Sequence, residues 1–258
     1  MNPIKSIVNR YRNFLISHYS LTCYGQKLKR FRDIHIGKRC FIIGNGPSLK
    51  VEDLYVLDLH NEITFAFNRI YYIFEKTNWR PTYYMSQDDK ILANSWTKIP
   101  QIQAKEKFVP IQMKWYFHIP IGGVNFYNQR TEDGIHPSFS EDITAYVGNG
   151  ATVVYTAIQF AVYMGIKEIY LIGVDHHFHT SRTADGKIVV DPSVKDYFSV
   201  EYNKDKDQLP IPSTELSTFT FIAAKQYGDS HDIKIFNATR GGKLEVFPRV
   251  NFDELFYT

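Results

Sequence analysis

Three histidines crowd into Asp175-His176-His177-Phe178-His179, directly after an apolar run. An imidazole is the side chain best suited to take a proton near neutral pH. At the end of a strand this cluster can deprotonate an attacking hydroxyl, or bind a metal together with Asp175, or simply hydrogen-bond the sheet edge. A second group is Gly44-Asn45-Gly46-Pro47-Ser48-Leu49, after the apolar run Cys40-Phe41-Ile42-Ile43. Strand, glycine turn and helix is the layout of a nucleotide-binding unit. Gly44 and Gly46 can take positive φ and let a ligand approach the backbone closely. Pro47 suits a helix start, the helix amides then face an anion such as a phosphate, and Asn45 and Ser48 are hydrogen-bonding groups for a nucleotide. The run is neither G-x-G-x-x-G nor G-x-x-x-x-G-K-[ST], so a tight structural turn explains the pattern equally well. Asp88-Asp89 forms a third group, suited to Mg²⁺ on a pyrophosphate or to a solvated acidic loop.

These groups need elements to position them. Glu62 to Phe67 reads as a second strand ending at Asn68, and Pro81 to Ser86 as a third ending at Gln87-Asp88-Asp89. Phe108 to Ile111 is a shorter candidate. Glu168 to Val174 is a buried strand that ends at Asp175, and Ile233 to Phe236 a final one that ends at Asn237. Ligands of open α/β sheets bind beyond the carboxyl ends of the strands, so Asn45, Asn68, Asp88, Asp89, Asp175 and Asn237 are expected around one crevice. Val153, Val154, Ala157, Ile158, Ala161 and Met164 mark one helix face, and Gly165 ends the helix. The turn Gly150-Ala151-Thr152 before it is a second helix N-terminus for a phosphate or sugar.

Residues 115–140 read as a long loop. Residues 179–212, with Gly186, Pro192, Pro210 and Pro212, read as a lid or an irregular insertion. Thr214 to Tyr227 reads as a helix stopped by Gly228. Strand alternating with helix implies a parallel sheet. The expected fold is α/β, a Rossmann-like, mostly parallel sheet with helices on both faces. A basic helical arm over residues 1–36 precedes a domain over 37–258, whose lid lies at about 176–212.

Composition agrees with a folded domain: of 258 residues, 44% are hydrophobic and 22% charged. Aromatic residues reach 16%, enough for an aromatic-lined cleft or an aromatic core. The two cysteines make neither a disulfide framework nor a metal motif, which points to a reducing cytoplasm. No run of about 18 apolar residues suggests a membrane span, and the N-terminus lacks the apolar core of a signal peptide. Residues 1–40 hold nine Lys or Arg against one acid, Asp33, so that segment carries +8 and leaves −5 on the rest. Ile4, Ile7, Val8, Tyr11, Phe14 and Leu15 recur there at helical spacing, with Lys5, Arg10 and Arg12 off the stripe. Such a helix packs on the domain or on a second copy in a homo-oligomer, or rests on an anionic membrane at its inner face. Nucleic acid is not expected, since the rest of the chain has no basic stripe.

Together the motifs resemble a known superfamily. Phe41 to Leu49 resembles the opening of bacterial sialyltransferases of the Campylobacter lipooligosaccharide type, and of the MptE-like and motility-associated-factor proteins with their Rossmann-like domain. Met164 to Asp175 is similar to the second hallmark of both, and Ile235 to Thr239 with Leu244-Glu245 resembles their last strand. The sialyltransferase resemblance implies a cytidine nucleotide held by the glycine turn and Asn45, by Asn68, by Gly150-Ala151-Thr152, and near Asp88 or Asp89. It also implies tyrosines in the lid, here Tyr197 and Tyr202, and a lid histidine as general base. No histidine occurs between 180 and 230, so His176, His177 and His179 are the replacements.

The function expected is a glycosyltransferase that moves a sugar from a nucleotide sugar, a CMP-sugar first, to a glycan or lipid-linked acceptor. It would need no cofactor, with Mg²⁺ left open. The MptE-like resemblance implies instead a pyrophosphokinase using ATP, Mg²⁺ and a hydroxymethylpterin. A nucleotide-binding module without catalysis is the third reading.

Overall fold

A computed structural model describes residues 3–131, 134–191, 193–199, 201–202 and 209–256; Pro192 of the expected lid lies outside them. In chain order the strands are β1 (Arg39–Ile43), β2 (Ile63–Phe67), β3 (Tyr83–Met85), β4 (Glu106–Pro110), β5 (Asn125–Tyr127), β6 (Gln129–Arg130), β7 (Val147–Gly148), β8 (Glu168–Ile172), β9 (Thr180–Arg182), β10 (Ile188–Val190) and β11 (Lys234–Asn237). The helices are α1 (Pro3–Ser17), α2 (Cys23–Leu28), α3 (Val51–Leu59), α4 (Asp89–Ser95), α5 (Ile111–Trp115), α6 (Val153–Tyr163) and α7 (Thr214–Ser230).

Seven strands form one sheet in the order β11-β8-β1-β2-β3-β4-β5, and each neighbouring pair is parallel. The chain steps outward from β1 to β5, then returns to lay β8 and β11 on the other side of β1. That reversal opens a crevice at the carboxyl ends of β1 and β8, the usual ligand position in such sheets.

A parallel sheet covered on both faces needs apolar residues in succession along its strands, and Cys40, Phe41, Ile42 and Ile43 are all fully buried. On one face Phe41 stacks with Tyr170 at 5.1 Å and with Phe256 at 5.7 Å, so the chain end closes that side. On the other face α6 sets Phe160 4.7 Å from Phe108, and Phe31 approaches Phe108 at 5.0 Å. Residues 19–36, expected in the arm, cover this face. Tyr19, Leu28 and Phe31 are buried, Tyr19 donates to the Phe126 carbonyl at 2.9 Å, and His35 Nε2 meets the Tyr83 hydroxyl at 2.6 Å.

Four local expectations are corrected. Residues 115–140 are not one loop, because β5 adds an edge strand to the sheet and β6 pairs with β7. The expected lid contains an antiparallel hairpin, β9 with β10. Helix α7 runs through Gly228, where a Cβ would stand 2.8 Å from the Ile233 carbonyl oxygen; the glycine admits the returning chain instead of ending the helix. The apolar stripe of α1 does not pack on the domain: Ile7, Tyr11 and Phe14 are exposed.

Candidate functional site

A cleft of about 660 Å³ lies beyond the carboxyl ends of the strands. Its walls include Gly44, Asn45 and Gly46 after β1, Asn68 after β2, Gln87, Asp88 and Asp89 after β3, and Asp175, His176 and His177 after β8. The strand ends therefore converge as the alternation of strand and helix requires.

The first glycine turn is built differently from expectation. Neither Gly44 nor Gly46 has a positive φ. They are glycines because β8 comes too close for a side chain. A Cβ at Gly44 would strike the Gly173 carbonyl, and one at Gly46 would strike the Asp175 carboxylate. Pro47 is exposed and lies in a separate turn, and α3 begins only at Val51. The Ser48 amide points to Asp175 Oδ2 at 3.4 Å and the Leu49 amide to the Gly46 carbonyl at 3.2 Å, so neither is left for a phosphate. The Ser48 hydroxyl donates to Asp175 Oδ2 at 2.7 Å. Ser48 and Asp175 thus brace the turn, and burial raises the Asp175 carboxyl above its ordinary range while the Ser48 hydrogen bonds oppose the rise. Asn45 does line the cleft. It donates Nδ2 to the Phe67 carbonyl at 3.1 Å, and its side chain meets the Tyr202 hydroxyl.

Asn68 takes a left-handed backbone, with φ 50°. Its Oδ1 accepts from the Ser86 hydroxyl at 2.9 Å, which turns the amide nitrogen to the other side. Asp88 lines the cleft but its Oδ1 caps α4 through the Ile91 amide at 3.0 Å, and burial pushes its carboxyl up. Asp89 Oδ1 accepts from the Lys90 amide at 2.8 Å.

The second glycine turn supplies the helix end that the first lacks. Gly150 and Ala151 are left-handed, and a Cβ on Gly150 would enter the Tyr155 ring. Thr152 caps α6 by accepting from the Val154 amide at 3.3 Å. Ala151, Thr152, Val153 and Val154 line the cleft, and Gly150 stands behind them. The positive end of α6 therefore faces the cavity, where it favours an anion.

The three histidines separate. His176 is left-handed and sits 5.5 Å from the Phe221 ring. Its Nε2 lies 2.8 Å from Thr218 Oγ1, whose own proton goes to the Thr214 carbonyl, so the imidazole is the donor. Burial lowers its pKa to about 4, which leaves it neutral and a weak base. His177 lines the cleft, with Nε2 3.1 Å from Asp191 Oδ2 and 3.2 Å from Lys243 Nζ. His179 is not among the lining residues. Its amide donates to Asp196 and its carbonyl accepts from the Asp191 amide at 2.6 Å, so it braces the lid. Among the described residues no three His, Cys, Asp or Glu side chains are grouped to hold a metal.

The insertion after β8 meets the first turn through the Phe198 amide, which donates to the Asn45 carbonyl at 3.1 Å. Tyr197 and Tyr202 stack at 3.9 Å on the cleft wall, and burial raises both phenols. Asn237 does not reach the cleft. It is buried, donating to the Leu244 carbonyl at 2.7 Å and accepting from the Thr239 amide at 3.0 Å, so it ties the tail to the sheet.

This geometry gives likeness to known proteins a specific meaning. The family described as 6-hydroxymethylpterin diphosphokinase MptE-like matches residues 12–181. The chain belongs to the MptE-like family. Two solved structures share the fold of this MptE-like chain. One is the MAf glycosyltransferase from Magnetospirillum magneticum AMB-1, at 15% identity and TM-score 0.51, over 89% of this chain and 38% of that one. The chain thus spans well under half of that enzyme. The other is the sialyltransferase CstII from Campylobacter jejuni in complex with cytidine-5'-monophosphate, at 16% identity and TM-score 0.50, over 83% of this chain and 85% of that one. No curated protein matches by sequence. At such identities the two structures establish the Rossmann-like fold seen in glycosyltransferases.

Sequence reasoning leaves several lining or supporting residues without a role. Gln87 donates to Asn149 Oδ1 at 3.1 Å and accepts from Thr156 at 2.7 Å, which joins β3 to the second turn. Gln87 follows a strand and Asn149 stands between two glycines, so position alone could have flagged them. Arg182 and Asp196 reach the wall from the lid, Asp191 reaches His177 from the same insertion, and Lys243 from the tail. No local pattern announces those four.

Proposed function

We propose that this MptE-like chain is a glycosyltransferase that uses a nucleotide sugar, with a CMP-sugar as the first candidate. The observation that carries the reading is the convergence, in one cleft, of Asn45, Asn68, the positive end of α6 and His177, which pairs with Asp191. The amides suit a base and ribose. The α6 end suits the phosphate and meets the charge that grows on it as the sugar leaves. His177 Nε2 faces both Asp191 Oδ2, which only accepts, and Lys243 Nζ, which only donates; in the proposed step Nε2–H is given to Asp191, so that the lone pair sits on Nδ1. In the proposed step an acceptor hydroxyl attacks the anomeric carbon, the bond from that carbon to the phosphate oxygen breaks, and Nδ1 takes the hydroxyl proton. Asp191 orients the ring and steadies the imidazolium, and Tyr197 with Tyr202 forms an aromatic wall against the nucleotide. The acceptor is a glycan or a lipid-linked sugar.

The family's description favours a second reading, a diphosphokinase acting on ATP and a pterin, and Asp88 and Asp89 both line the cleft where Mg²⁺ would be needed. His177→Ala separates the two. Under the first reading it lowers sugar transfer from a CMP-sugar by about 10²–10⁴-fold and leaves CMP affinity unchanged. Unaltered transfer would remove His177 from the chemistry, and turnover only of ATP with Mg²⁺ would favour the second reading.

A further inference from the structure

Helix α1 rests on the domain through Arg12, Asn13 and Ile16 and leaves the apolar stripe of Ile7, Tyr11 and Phe14 outward. Asn13 Oδ1 accepts from the Tyr116 hydroxyl at 3.2 Å, and the Arg12 guanidinium lies 5.6 Å from the centre of the Tyr116 ring. The Ile16 carbonyl accepts from Asn128 at 3.3 Å. At about 100° per residue, Asn13 lies across the helix from the stripe of Ile7, Tyr11 and Phe14. Those three are 67%, 61% and 56% exposed. Arg10 borders the stripe beside Phe14, and Arg12 borders it beside Val8. No acidic residue occurs before Asp33.

The attachment point of α1 matters. Tyr116 follows α5, and its neighbour Phe117, itself 53% exposed, lines the cleft with Gln112 and Met113. The helix is therefore fixed to one wall of the candidate site.

We infer that α1 is an interfacial anchor, laying its apolar stripe on an anionic lipid surface and holding the Phe117 wall of the cleft at that surface. Charge complementarity decides the occupant. Arg10, exposed at the edge of the stripe, sits at headgroup level while the stripe enters the acyl boundary, and no carboxylate of the helix opposes an anionic surface. A second copy of α1 would instead bring the same arginines against these, with no carboxylate on either helix to pair them. At fifteen residues α1 is too short to span, and no described helix is long and apolar enough to cross a membrane.

The test is co-sedimentation of the full chain with vesicles of phosphatidylcholine alone or mixed with phosphatidylglycerol. It needs no sugar transfer, so it stands apart from the reading of the cleft. The chain is expected to bind the mixed vesicles. Tyr11→Asp and Phe14→Asp should each lower partitioning about tenfold, and Arg10→Glu about fivefold, with Arg10→Lys restoring it. The stripe faces solvent, so an unchanged melting temperature shows that each variant folds. Failure to bind mixed vesicles would overturn the inference, as would equal binding by Tyr11→Asp. A dimer in sedimentation velocity that Phe14→Asp dissociates, without vesicle binding, would make the stripe a self-association face.

Discussion

The tripeptide Gly-Asn-Gly occurs twice, at 44–46 and at 148–150, and the two copies answer to different constraints. In the first, both glycines keep ordinary backbone angles and are small because the end of β8 presses on them. In the second, Gly150 is left-handed, and the chain passes from it into the N-terminus of α6. The first turn uses its amides internally on Asp175 and Gly46. The second leaves a helix end open to the cleft. A glycine turn after a strand is therefore not by itself a phosphate site. A helix must start at the turn and aim its end at the cavity.

The largest effect is expected where β8 crowds the first turn. Gly44→Ala puts a methyl group against the Gly173 carbonyl, a backbone atom that no rotamer change can move. A loss on the order of 4 kcal/mol in urea unfolding is expected. A loss under about 1 kcal/mol would mean that β1 and β8 do not approach as closely as described.

Acid should reach the same strand end through His176. Its folded pKa of about 4 lies below the ordinary value of 6.5. Between those values the unfolded chain binds a proton that the native imidazole refuses. The stability tied to this group is thus complete above pH 6.5 and is lost as pH falls through 4, on the order of 3 kcal/mol in all. His176→Gln keeps a donor for Thr218 without the titration, so its melting temperature should fall less between pH 6.5 and 4. Equal slopes would show that His176 is not the group concerned.

The smallest effect belongs to the second turn. Thr152→Ala removes the cap of α6 and should cost about 1 kcal/mol, while weakening a nucleotide phosphate more than the free nucleoside. Equal weakening of both would separate the phosphate from the α6 end.

Much of the fold was legible because the central strands are buried on both faces. Phe41-Ile42-Ile43 and Ile169-Tyr170-Leu171-Ile172 announce themselves as apolar runs, and the polar residues after them fall at the cleft. β5 was hidden because an edge strand of three residues, Asn125-Phe126-Tyr127, has one neighbour and needs no apolar run. The role of Gly228 was hidden because its constraint is the Ile233 carbonyl on the returning chain. The same holds at the site. Asn45, Asn68 and His177 come after strands and could be read from them. Asp191 and Lys243 arrive from the lid and from a tail whose carbonyls are gathered by Arg249, including that of Gly241 at 2.8 Å, and no spacing encodes that return.

The most direct measurement is the melting temperature of the full chain with CMP, UDP, GDP, ADP or ATP, each with and without Mg²⁺. A ligand that binds only the native state raises it by mass action. A rise with CMP that is independent of Mg²⁺, and reduced in Asn45→Ala, is the result predicted for a CMP-sugar donor site. A rise only with ATP and Mg²⁺, or with no nucleotide at all, would contradict it.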